Sequence, residues 1–242
     1  MKIIRIKQTK STNSYAQEYI KSEPTEDFTC FVADEQTAGK GQRGNSWYST
    51  PGESLTFSIA LKPNLKTVKQ FMLSKVVSLS IVSYFSKYGD LFSIKWPNDI
   101  YYNNRKLCGI LIENSLSGNK IKKSIVGIGI NIDNRQFPEN LLHPISLTQI
   151  TEKKHNTEQI LNGLLREIKK HYNQLAEKNF DAIDNAYLEN LYKYNEEASF
   201  KDKICTYRGK ITGISPYGNL IVKNIDTGIS TAYAHKEVEF IY

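Results

Sequence analysis

The stretch from Lys95 to Glu113, which reads KWPNDIYYNNRKLCGILIE, constrains the fold more than any other part of the sequence. Its apolar runs are typical of strands, and Pro97 interrupts the first of them because proline lacks the N–H group that a sheet ladder requires. Asn103-Asn104 suits a tight turn, after which the chain returns as a partner strand. The stretch therefore predicts paired antiparallel strands that carry charged side chains beside apolar surface.

The sequence before this stretch predicts further strands and two helices. The predicted strands are the alternating runs Lys2 to Lys7, Asp27 to Glu35 and Ser54 to Leu61. Apolar residues recur at helical spacing between Thr67 and Tyr88, which predicts a long helix packed against a sheet. Ser11-Thr12-Asn13 offers N-cap side chains for an earlier helix that runs to Lys21.

The second half of the sequence predicts a change of architecture near Asn195. A hairpin at Gly118-Asn119 precedes a strand to Ile132, and helical periods cover Thr157 to Lys178 and Asp181 to Tyr194. Five short alternating runs follow: Ile204 to Tyr207, Ile211 to Ile214, Leu220 to Lys223, Gly228 to Ala234 and Val238 to Ile241. Tight turns between short strands predict a small barrel, so we expect one domain over residues 1–197 and a second over residues 198–242.

Composition and charge predict a globular chain with anionic partners. Of 242 residues, 40% are hydrophobic and 24% are charged, and no low-complexity tract occurs. No apolar run reaches the roughly 18 to 20 residues of a membrane helix, and the amino terminus lacks a signal peptide, so we expect a cytoplasmic protein that contacts no membrane. The net charge of +7 favours nucleic acid, phosphate-bearing small molecules or an acidic protein as partners.

The loop from Gly39 to Gly44 fits the G-x-G-x-x-G pattern, but its surroundings do not fit a dinucleotide fold. A dinucleotide fold places these glycines between a strand and a helix, whereas here a loop and then a strand follow. Free backbone N–H groups, together with the charges of Lys40 and Arg43, predict a flexible anion-binding loop instead. Trp47 either covers a ligand or anchors the loop in the core.

Lys95 and Lys106 are cations for which the residues alone leave two interpretations open. On neighbouring strands of the predicted hairpin, both could face an anionic ligand, which would offset the cost of bringing lysine near the core. Alternatively, Lys95 pairs with Asp99 in solvent and Lys106 lies at a turn. The four histidines have no metal-ligand spacing, so we expect no metal site and surface or helix-end positions for His143, His155, His171 and His235.

Four separated segments resemble those of biotin protein ligases. They are Ser11-Thr12-Asn13, the loop Gln36 to Trp47 (QTAGKGQRGNSW), the block Lys95 to Asp99 (KWPND) with Arg105 to Glu113 (RKLCGILIE), and Val126 to Asn131 (VGIGIN). The likeness extends over nearly the whole chain. The Lys-Trp-Pro-Asn-Asp block is a specific signal, whereas the glycine loop alone is a weak one.

The resemblance implies an ATP-dependent ligase that works in two steps. Biotin and MgATP give biotinyl-AMP and pyrophosphate, after which a lysine of a biotin carboxyl carrier protein attacks the mixed anhydride. The implied fold is α/β (α+β): a class II synthetase-like catalytic domain with a mixed sheet and flanking helices, followed by a small SH3-like β-barrel. Biotin and ATP with Mg2+ are the expected ligands, and association into a homodimer is left open.

The resemblance also assigns roles to residues of this sequence. Lys106, Asp99 and Arg43 are expected to be catalytic, with Lys106 touching both the biotin carboxylate and the α-phosphate. The expected biotin-binding residues are Ser11, Thr12, Asn13, Gln36, Gly39, Lys40, Gly41, Gln42, Lys106 and Gly109. The expected ATP-binding residues are Lys40, Arg43, Trp47, Asn98, Lys106 and Asn131. A mobile loop over the adenylate would exclude water until the acceptor lysine arrives.

The sequence departs from the family pattern in its glycine loop. Relatives commonly carry Gly-Arg-Gly-Arg-x-Gly-Arg, whereas here Lys40, Gln42 and Asn45 replace the three arginines and Arg43 occupies the variable place. A lost guanidinium fork weakens bidentate phosphate contact. Some relatives bind DNA through an amino-terminal winged-helix domain; this chain begins with the first catalytic strand, so we expect no operator binding.

Two other functions remain open from the sequence. Lipoate protein ligases share the general catalytic architecture, although the Lys-Trp-Pro-Asn-Asp block favours biotin. A basic nucleic-acid-binding protein would instead use Tyr207, Tyr217 and Tyr233 of the predicted barrel as stacking platforms, although packing inside the barrel is the simpler interpretation of these tyrosines.

The changed loop leads to a prediction about adenylate retention. If Arg43 or Lys40 takes over part of the phosphate contact, Arg43→Ala or Lys40→Ala will release the adenylate faster than the wild type, because a cation beside the α-phosphate is lost. The dissociation rate of preformed adenylate from each variant checks this. Unchanged rates in both variants would contradict it.

Overall fold

Strands from the first part of the chain combine in one eight-stranded sheet in the computed structural model, which describes residues 1–241. The strands are β1 (Ile3–Thr9), β2 (Thr29–Gln36), β3 (Ser54–Leu61), β4 (Leu65–Lys66), β5 (Phe92–Lys95), β6 (Asp99–Tyr102), β7 (Arg105–Ser117) and β8 (Lys120–Asn131). Their order is β1-β2-β3-β8-β7-β6-β5, and the short β4 pairs with β8. β1 and β2 run parallel and the other pairs are antiparallel, which confirms the predicted mixed sheet.

Helices flank both faces of this sheet, as predicted. Among residues 1–241 they are α1 (Thr12–Ser22), α2 (Phe71–Phe85), α3 (Leu147–Thr151), α4 (Thr157–Ala176) and α5 (Phe180–Glu189). Alternate residues of β2 point to opposite faces: Phe31 packs with α1, whereas Cys30 and Val32 belong to the larger core with α2 and α4. The helices within the described residues include none that is long and apolar enough to cross a membrane.

Two helices differ from the sequence prediction, one in where it ends and one because it was not predicted. α5 ends at Glu189, not near Tyr194, because the following residues bond to β5 instead of continuing the helix. Ile94 N–H donates to Asn190 O, and Tyr192 N–H donates to Ile94 O, both at 2.8 Å. The short helix α3 was not predicted, although the capping box at its first turn is a signal present in the sequence.

The remaining strands form a second, five-stranded antiparallel sheet. They are β9 (Glu197–Asp202), β10 (Thr206–Ile214), β11 (Leu220–Asn224), β12 (Ser230–Tyr233) and β13 (Val238–Ile241), in the order β12-β11-β10-β9-β13. β12 and β13 are opposite edges that do not pair within residues 1–241, so the sheet is open and the predicted barrel is not confirmed. Tyr242, the last residue of the predicted second domain, lies outside the described residues.

The strands of this second sheet also differ in detail from the prediction. β9 was missed because polar residues surround Phe200, its one fully buried apolar side chain, and this strand spans the expected domain boundary between residues 197 and 198. Two predicted strands merge in β10, since Gly209 lies within the strand and not in a turn. A Cβ atom at Gly209 would lie 2.8 Å from Val222 Cγ1, so glycine here permits close packing of the sheet.

Turns of the second sheet pack against the end of β5. Trp96, which directly follows β5, donates a hydrogen bond from Nε1 to Gly218 O at 2.8 Å. Its ring meets the His235 ring edge to face, with centroids 6.0 Å apart. Gly218 also packs on α2, where an added Cβ atom would lie 2.5 Å from Phe71 Cδ2. These contacts hold the second sheet beside β5, the edge strand of the first sheet.

A partly buried ion pair between α2 and α5 leads to a stability prediction. Lys75 Nζ lies 2.7 Å from Asp184 Oδ1, and the lysine side chain is only 7% exposed. Asp184→Ala should lower the free energy of unfolding by about 2 kcal/mol, because the ammonium would stay buried without its carboxylate. Lys75→Met combined with Asp184→Ala should recover most of that loss, since neither charge then remains.

Urea unfolding of the single and double variants measures both effects. Glu196→Ala, which breaks the more exposed ion pair with Lys193, is the matched control and should change the free energy of unfolding by less than about 0.5 kcal/mol. If Asp184→Ala were as stable as the wild type, the ion pair of the buried Lys75 would contribute nothing to stability.

Candidate active site

Glycines on β7 and β8 form the floor of the main cavity. Along β8, Ile128 and Ile130 belong to the core, so Gly127 and Gly129 face the opposite side of the sheet, next to α1. The strand register places Gly109 of β7 beside Gly129. Because glycine has no side chain, this part of the sheet leaves space for a cavity of about 750 Å³, a size typical of small-molecule sites.

The Trp47 indole rests on this glycine floor. A Cβ atom at Gly109 would lie 2.7 Å from Trp47 Cζ3, and one at Gly129 would overlap the indole. Lys106 Nζ lies 5.5 Å from the centre of the Trp47 ring, which is a cation–π contact. Within residues 1–241, the buried indole Nε1 has no hydrogen-bond partner. The indole therefore anchors its loop on the sheet and forms part of the cavity wall.

A set of hydrogen bonds, called here the Thr12 network, closes one end of the cavity. Gln36 Oε1 accepts bonds from Thr12 N–H at 2.8 Å and from Thr12 Oγ1 at 3.1 Å. Ser58 Oγ lies 2.8 Å from Thr12 Oγ1 and donates to Asn13 Oδ1 at 2.6 Å. Asn13 Nδ2 donates to Glu113 Oε2 at 2.7 Å. Each side chain of the network is thus held in one orientation.

Two of the three residues predicted as helix caps, Thr12 and Asn13, belong to this network. Ser11 is the N-cap of α1, as predicted, but its side chain makes no capping hydrogen bond. Thr12 and Asn13 bond across the sheet instead of to the helix. Gly127 makes room for them, because a Cβ atom there would overlap Asn13 Oδ1. The predicted start of α1 is therefore confirmed, whereas the predicted capping by these side chains is not.

Lys106 and Asp99 form an ion pair that lines the cavity. Lys106 Nζ lies 2.8 Å from Asp99 Oδ2, and the two side chains are 31% and 21% exposed. The other carboxylate oxygen, Asp99 Oδ1, is buried and has no hydrogen-bond partner within the described part of the chain. A lysine ammonium has three N–H donors, so one carboxylate oxygen leaves donors for a ligand.

A β-bulge turns Lys106 toward the cavity. In regular alternation with Gly109, Leu107 would face the cavity and Lys106 would face the core. The register between β6 and β7 shifts after Ile100, and Leu107 and Cys108 are both buried in the core. Lys106 therefore lies on the same side of the sheet as Gly109.

The segment after β8 fixes the backbone of Lys106. Lys106 N–H donates to His143 O at 2.7 Å, and Ile145 N–H donates to Lys106 O at 2.9 Å. Asn131 Nδ2 donates to Ile145 O at 3.2 Å and to Lys106 O at 3.4 Å. The side-chain amide of Asn131 thus ties the end of β8 to the start of β7.

Lys95 and Lys106 are not on neighbouring strands, contrary to the prediction, because β6 lies between β5 and β7. Lys95 Nζ donates to Tyr101 OH at 3.1 Å, and both residues line the cavity. Burial lowers the pKa of Lys95, and Lys106 lowers it further, whereas Asp99 opposes the shift. The short carboxylate contact of Asp99 is with Lys106, so Lys106 is more than a turn residue.

The glycine loop is ordered by its own hydrogen bonds; we call residues Gly39 to Trp47 the flap. Trp47 N–H donates to Gly39 O at 2.9 Å, and Gly41 N–H donates to Asn45 O at 2.7 Å. An added Cβ atom at Gly39 would lie 2.5 Å from Trp47 O, so only glycine allows this closure. Arg43 adopts the left-handed conformation, with φ of 50°, near the tip of the flap.

Most of the predicted site residues line this one cavity. The lining residues include Ser11, Thr12, Asn13, Gln36, Lys40, Gly41, Gln42, Trp47, Asn98, Asp99, Lys106, Gly109 and Asn131. Gly39 and Arg43 are not among them. Asn98, between β5 and β6, is bonded to β7: its Nδ2 donates to Ile110 O at 2.6 Å and its carbonyl oxygen accepts from Ile110 N–H at 2.9 Å.

The two ends of the cavity differ in charge. Among the described lining residues, Lys40, Lys95 and Lys106 bring positive charge and Asp99 is the carboxylate. Asn13 of the Thr12 network bonds to Leu111 O, two residues along β7 from Gly109, and the end of the Lys106 side chain lies beside Gly109. The cavity therefore suits an elongated ligand with a neutral polar end and an anionic end.

No role in the site was predicted from the sequence for His235, which lines the cavity, or for Ser58 and Glu113, which bond to the lining residue Asn13. A local pattern does mark Ser58: Thr56, Ser58 and Ala60 are small residues on one face of β3, while the alternate positions carry large apolar residues. Glu113 lies in the segment Arg105 to Glu113, but no role was predicted for it because its hydrogen bond with Asn13 depends on tertiary contact. His235, expected at the surface, lines the cavity from the second sheet, and no local pattern marks it.

Comparison with known proteins agrees with this arrangement. A sequence model of the Biotin/lipoate A/B protein ligase family matches residues 5–131. The bifunctional ligase/repressor BirA of Bacillus subtilis is 28% identical over 228 residues, which cover 93% of this chain and 70% of that protein. The biotin--[acetyl-CoA-carboxylase] ligase of Paracoccus denitrificans is 29% identical over 223 residues, which cover 89% of this chain and 91% of that protein.

Solved structures extend the likeness over both sheets. The biotin protein ligase of Aquifex aeolicus, in complex with biotin and ATP, aligns with a TM-score of 0.79 and 29% sequence identity, covering 99% of this chain and 98% of that one. The biotin protein ligase of Leishmania major, in complex with biotinyl-5-AMP, aligns with a TM-score of 0.66 over 96% of this chain and 98% of that one. The second pair is 19% identical, so it supports the fold alone.

The position of Trp47 on the glycine floor leads to a prediction. In Gly129→Ala, the new methyl group would overlap the indole, so the indole must move off the sheet. Acrylamide quenching of the tryptophan fluorescence should then increase, because Trp47 becomes more accessible while Trp96 stays buried. Gly213→Ala is the control, since the nearest atom to its added Cβ lies 3.9 Å away. Equal quenching in the two variants would contradict the contact.

Proposed function

Because the chain belongs to the Biotin/lipoate A/B protein ligase family, we propose that it is a biotin protein ligase. The enzyme activates biotin with ATP to form biotinyl-AMP and transfers the biotinyl group to a lysine of a biotin carboxyl carrier protein. The observation that carries this proposal is the Lys106–Asp99 ion pair, which presents an ammonium to the same cavity that the neutral side chains of Thr12, Asn13 and Gln36 line.

Each end of the cavity has a partner in biotin. The fused rings of biotin carry neutral N–H and C=O groups, which match the fixed donors and acceptors of Thr12, Asn13 and Gln36. The apolar chain between the ends would lie against the Trp47 indole, which covers the glycine floor. The carboxylate of biotin would then reach Lys106, where the ammonium offsets its charge.

Lys106 suits the first reaction because that reaction brings two anions together. An oxygen of the biotin carboxylate attacks the α-phosphorus of ATP, the bond from this phosphorus to the bridging oxygen breaks, and pyrophosphate leaves with the electron pair. An ammonium already fixed by Asp99 stabilises the charge that builds at the phosphorus. The backbone bonds that hold Lys106 limit its movement, so little reorganisation is required during the reaction.

The nucleotide would lie on the Trp47 side of Lys106. The Trp47 indole is assigned to the adenine, and Lys40, Arg43, Asn98 and Asn131 are assigned to the nucleotide as a whole. The exposed tip of the flap carries Arg43, which is free to approach the phosphates if the flap moves. The flap residues that line the cavity would also keep water from the reactive adenylate.

Asp99 also fits the Mg2+ ion that accompanies ATP. Mg2+ in such sites is held by one or two carboxylates together with substrate phosphates and water. Asp99 Oδ1 is a buried carboxylate oxygen without a partner among residues 1–241, beside the lysine assigned to the α-phosphate. When bound, the ion would neutralise charge on the phosphate oxygens of ATP.

Three expectations from the sequence remain part of the proposal. They are a catalytic domain over residues 1–197, an SH3-like module over residues 198–242 and a cytoplasmic location, while dimer formation stays open. The five short strands of the second sheet support an SH3-like module of open form. Hydrogen bonding between Tyr207 and Tyr233 at 2.9 Å favours packing over nucleic-acid stacking as their role.

A mass measurement tests the proposed function. The purified protein is incubated with biotin, MgATP and a biotin carboxyl carrier domain, and the intact mass of the carrier is then measured. We expect the carrier to gain one biotinyl group, and neither omission of ATP nor a carrier with its acceptor lysine changed to arginine should give this product. An unmodified carrier, or one modified only when lipoate replaces biotin, would contradict the proposal.

The role of Lys106 gives a prediction for the first half-reaction. Lys106→Gln should slow biotin-dependent exchange of labelled pyrophosphate into ATP by about 100-fold or more, because a fixed charge at the reacting phosphorus is removed. Lys123→Gln, on the neighbouring strand β8 but outside the cavity, is the matched control and should keep the wild-type rate. An exchange rate for Lys106→Gln within threefold of the wild type would show that Lys106 is dispensable.

A further inference from the structure

His235 brings an imidazole from the second sheet into the cavity. It lies in the turn between β12 and β13 and lines the cavity together with Asp99 and Lys106. It is the one imidazole among the described residues that line the cavity. The edge-to-face contact with Trp96 orients its ring, and the hydrogen bond from Trp96 to Gly218 holds that indole in place. The first half-reaction, as proposed above, does not use this residue.

The surroundings of His235 keep its ring neutral at pH 7. Burial lowers the pKa of His235 from its ordinary value of 6.5, and Arg43 and Lys236 lower it further. Asp99 opposes this shift and Lys106 adds to it. The cations come from the flap, from the same turn and from β7, so charged groups from several elements disfavour the imidazolium form.

The second half-reaction requires that the acceptor lysine lose a proton, which a base in the site would accelerate at neutral pH. A lysine of a carrier protein has a pKa of about 10.4 and therefore arrives as an ammonium without a free lone pair. Asp99 is already bound to Lys106, and Lys95 donates to Tyr101. The neutral imidazole of His235 has a nitrogen lone pair, and it lines the same cavity as Asp99 and Lys106, whose charges influence it, on the side to which the adenylate is assigned.

We propose that His235 is the general base of the transfer step and accepts one proton from the ammonium of the acceptor lysine. The inference rests on the proposed function. The freed amine nitrogen forms a bond to the carbonyl carbon of biotinyl-AMP, the bond from this carbon to the phosphate oxygen breaks, and AMP leaves with the electron pair. The second proton of the nitrogen passes to water as the amide forms.

The test separates the two half-reactions in His235→Gln, which keeps a polar side chain but has no group that titrates near neutral pH. Transfer from preformed biotinyl-AMP to the carrier domain should slow by about 100-fold at pH 7, the contribution expected of a general base. Pyrophosphate exchange should stay within twofold of the wild type. Transfer to hydroxylamine, a nucleophile that is largely unprotonated at pH 7, should also stay within twofold.

The pH dependence gives a signature that a structural role would not produce. Wild-type transfer should be nearly constant between about pH 7 and pH 9 and should fall as His235 is protonated below its lowered pKa. In His235→Gln, the rate should instead rise about tenfold per pH unit, because only the free amine fraction of the acceptor lysine reacts. Added imidazole should restore part of the transfer rate to His235→Ala.

A matched control and the contrary outcomes complete the test. His171→Gln changes a histidine on α4, which lines no part of the cavity, and should leave all three rates unchanged. Wild-type transfer by His235→Gln, or an equal loss of pyrophosphate exchange and carrier transfer, would overturn the proposed base. If the wild type itself failed to label the carrier while exchanging pyrophosphate, the proposed transfer function would fail, and the base with it.

Discussion

The rest of the site depends on the ion pair between Lys106 and Asp99. An ammonium at the edge of a hydrophobic core is costly unless a carboxylate compensates it, and Asp99 does so at 2.8 Å. The bulge in β7 is what brings Lys106 to the cavity side of the sheet, since regular alternation would direct it into the core. Backbone bonds to His143 and Ile145 then hold this geometry. A cation is thus preorganised where the proposed reaction develops negative charge.

The other parts of the site are arranged around that cation along one face of the sheet. Glycines at positions 109, 127 and 129 remove side chains from the floor, and the Thr12 network supplies neutral polar groups beyond them. The flap contributes Trp47 and further positive charge from the same face. The second sheet adds His235 through the contact with Trp96, so both half-reactions can take place in a single cavity.

Local patterns in the sequence predicted much of the fold, and family resemblance predicted most of the candidate site. The alternation in Val126 to Asn131 sets glycine against isoleucine on opposite faces, and the helical period from Thr67 to Tyr88 identified α2. The bulge that orients Lys106 could not be predicted, because it depends on register between strands. The partners Ser58 and Glu113, and the approach of His235, depend on contacts between residues far apart in the sequence. The open form of the second sheet likewise follows from strand pairing and not from composition.

A crystal structure with a non-hydrolysable analogue of biotinyl-AMP tests the central claim most directly. The account predicts that Lys106 Nζ will lie within about 2.7–3.2 Å of the oxygens that join the biotin carbonyl carbon to the phosphorus. It also predicts that Asp99 will stay beside Lys106 and that the biotin rings will contact the Thr12 network. A complex in which Lys106 points away from that junction, with other cations in its place, would contradict the account.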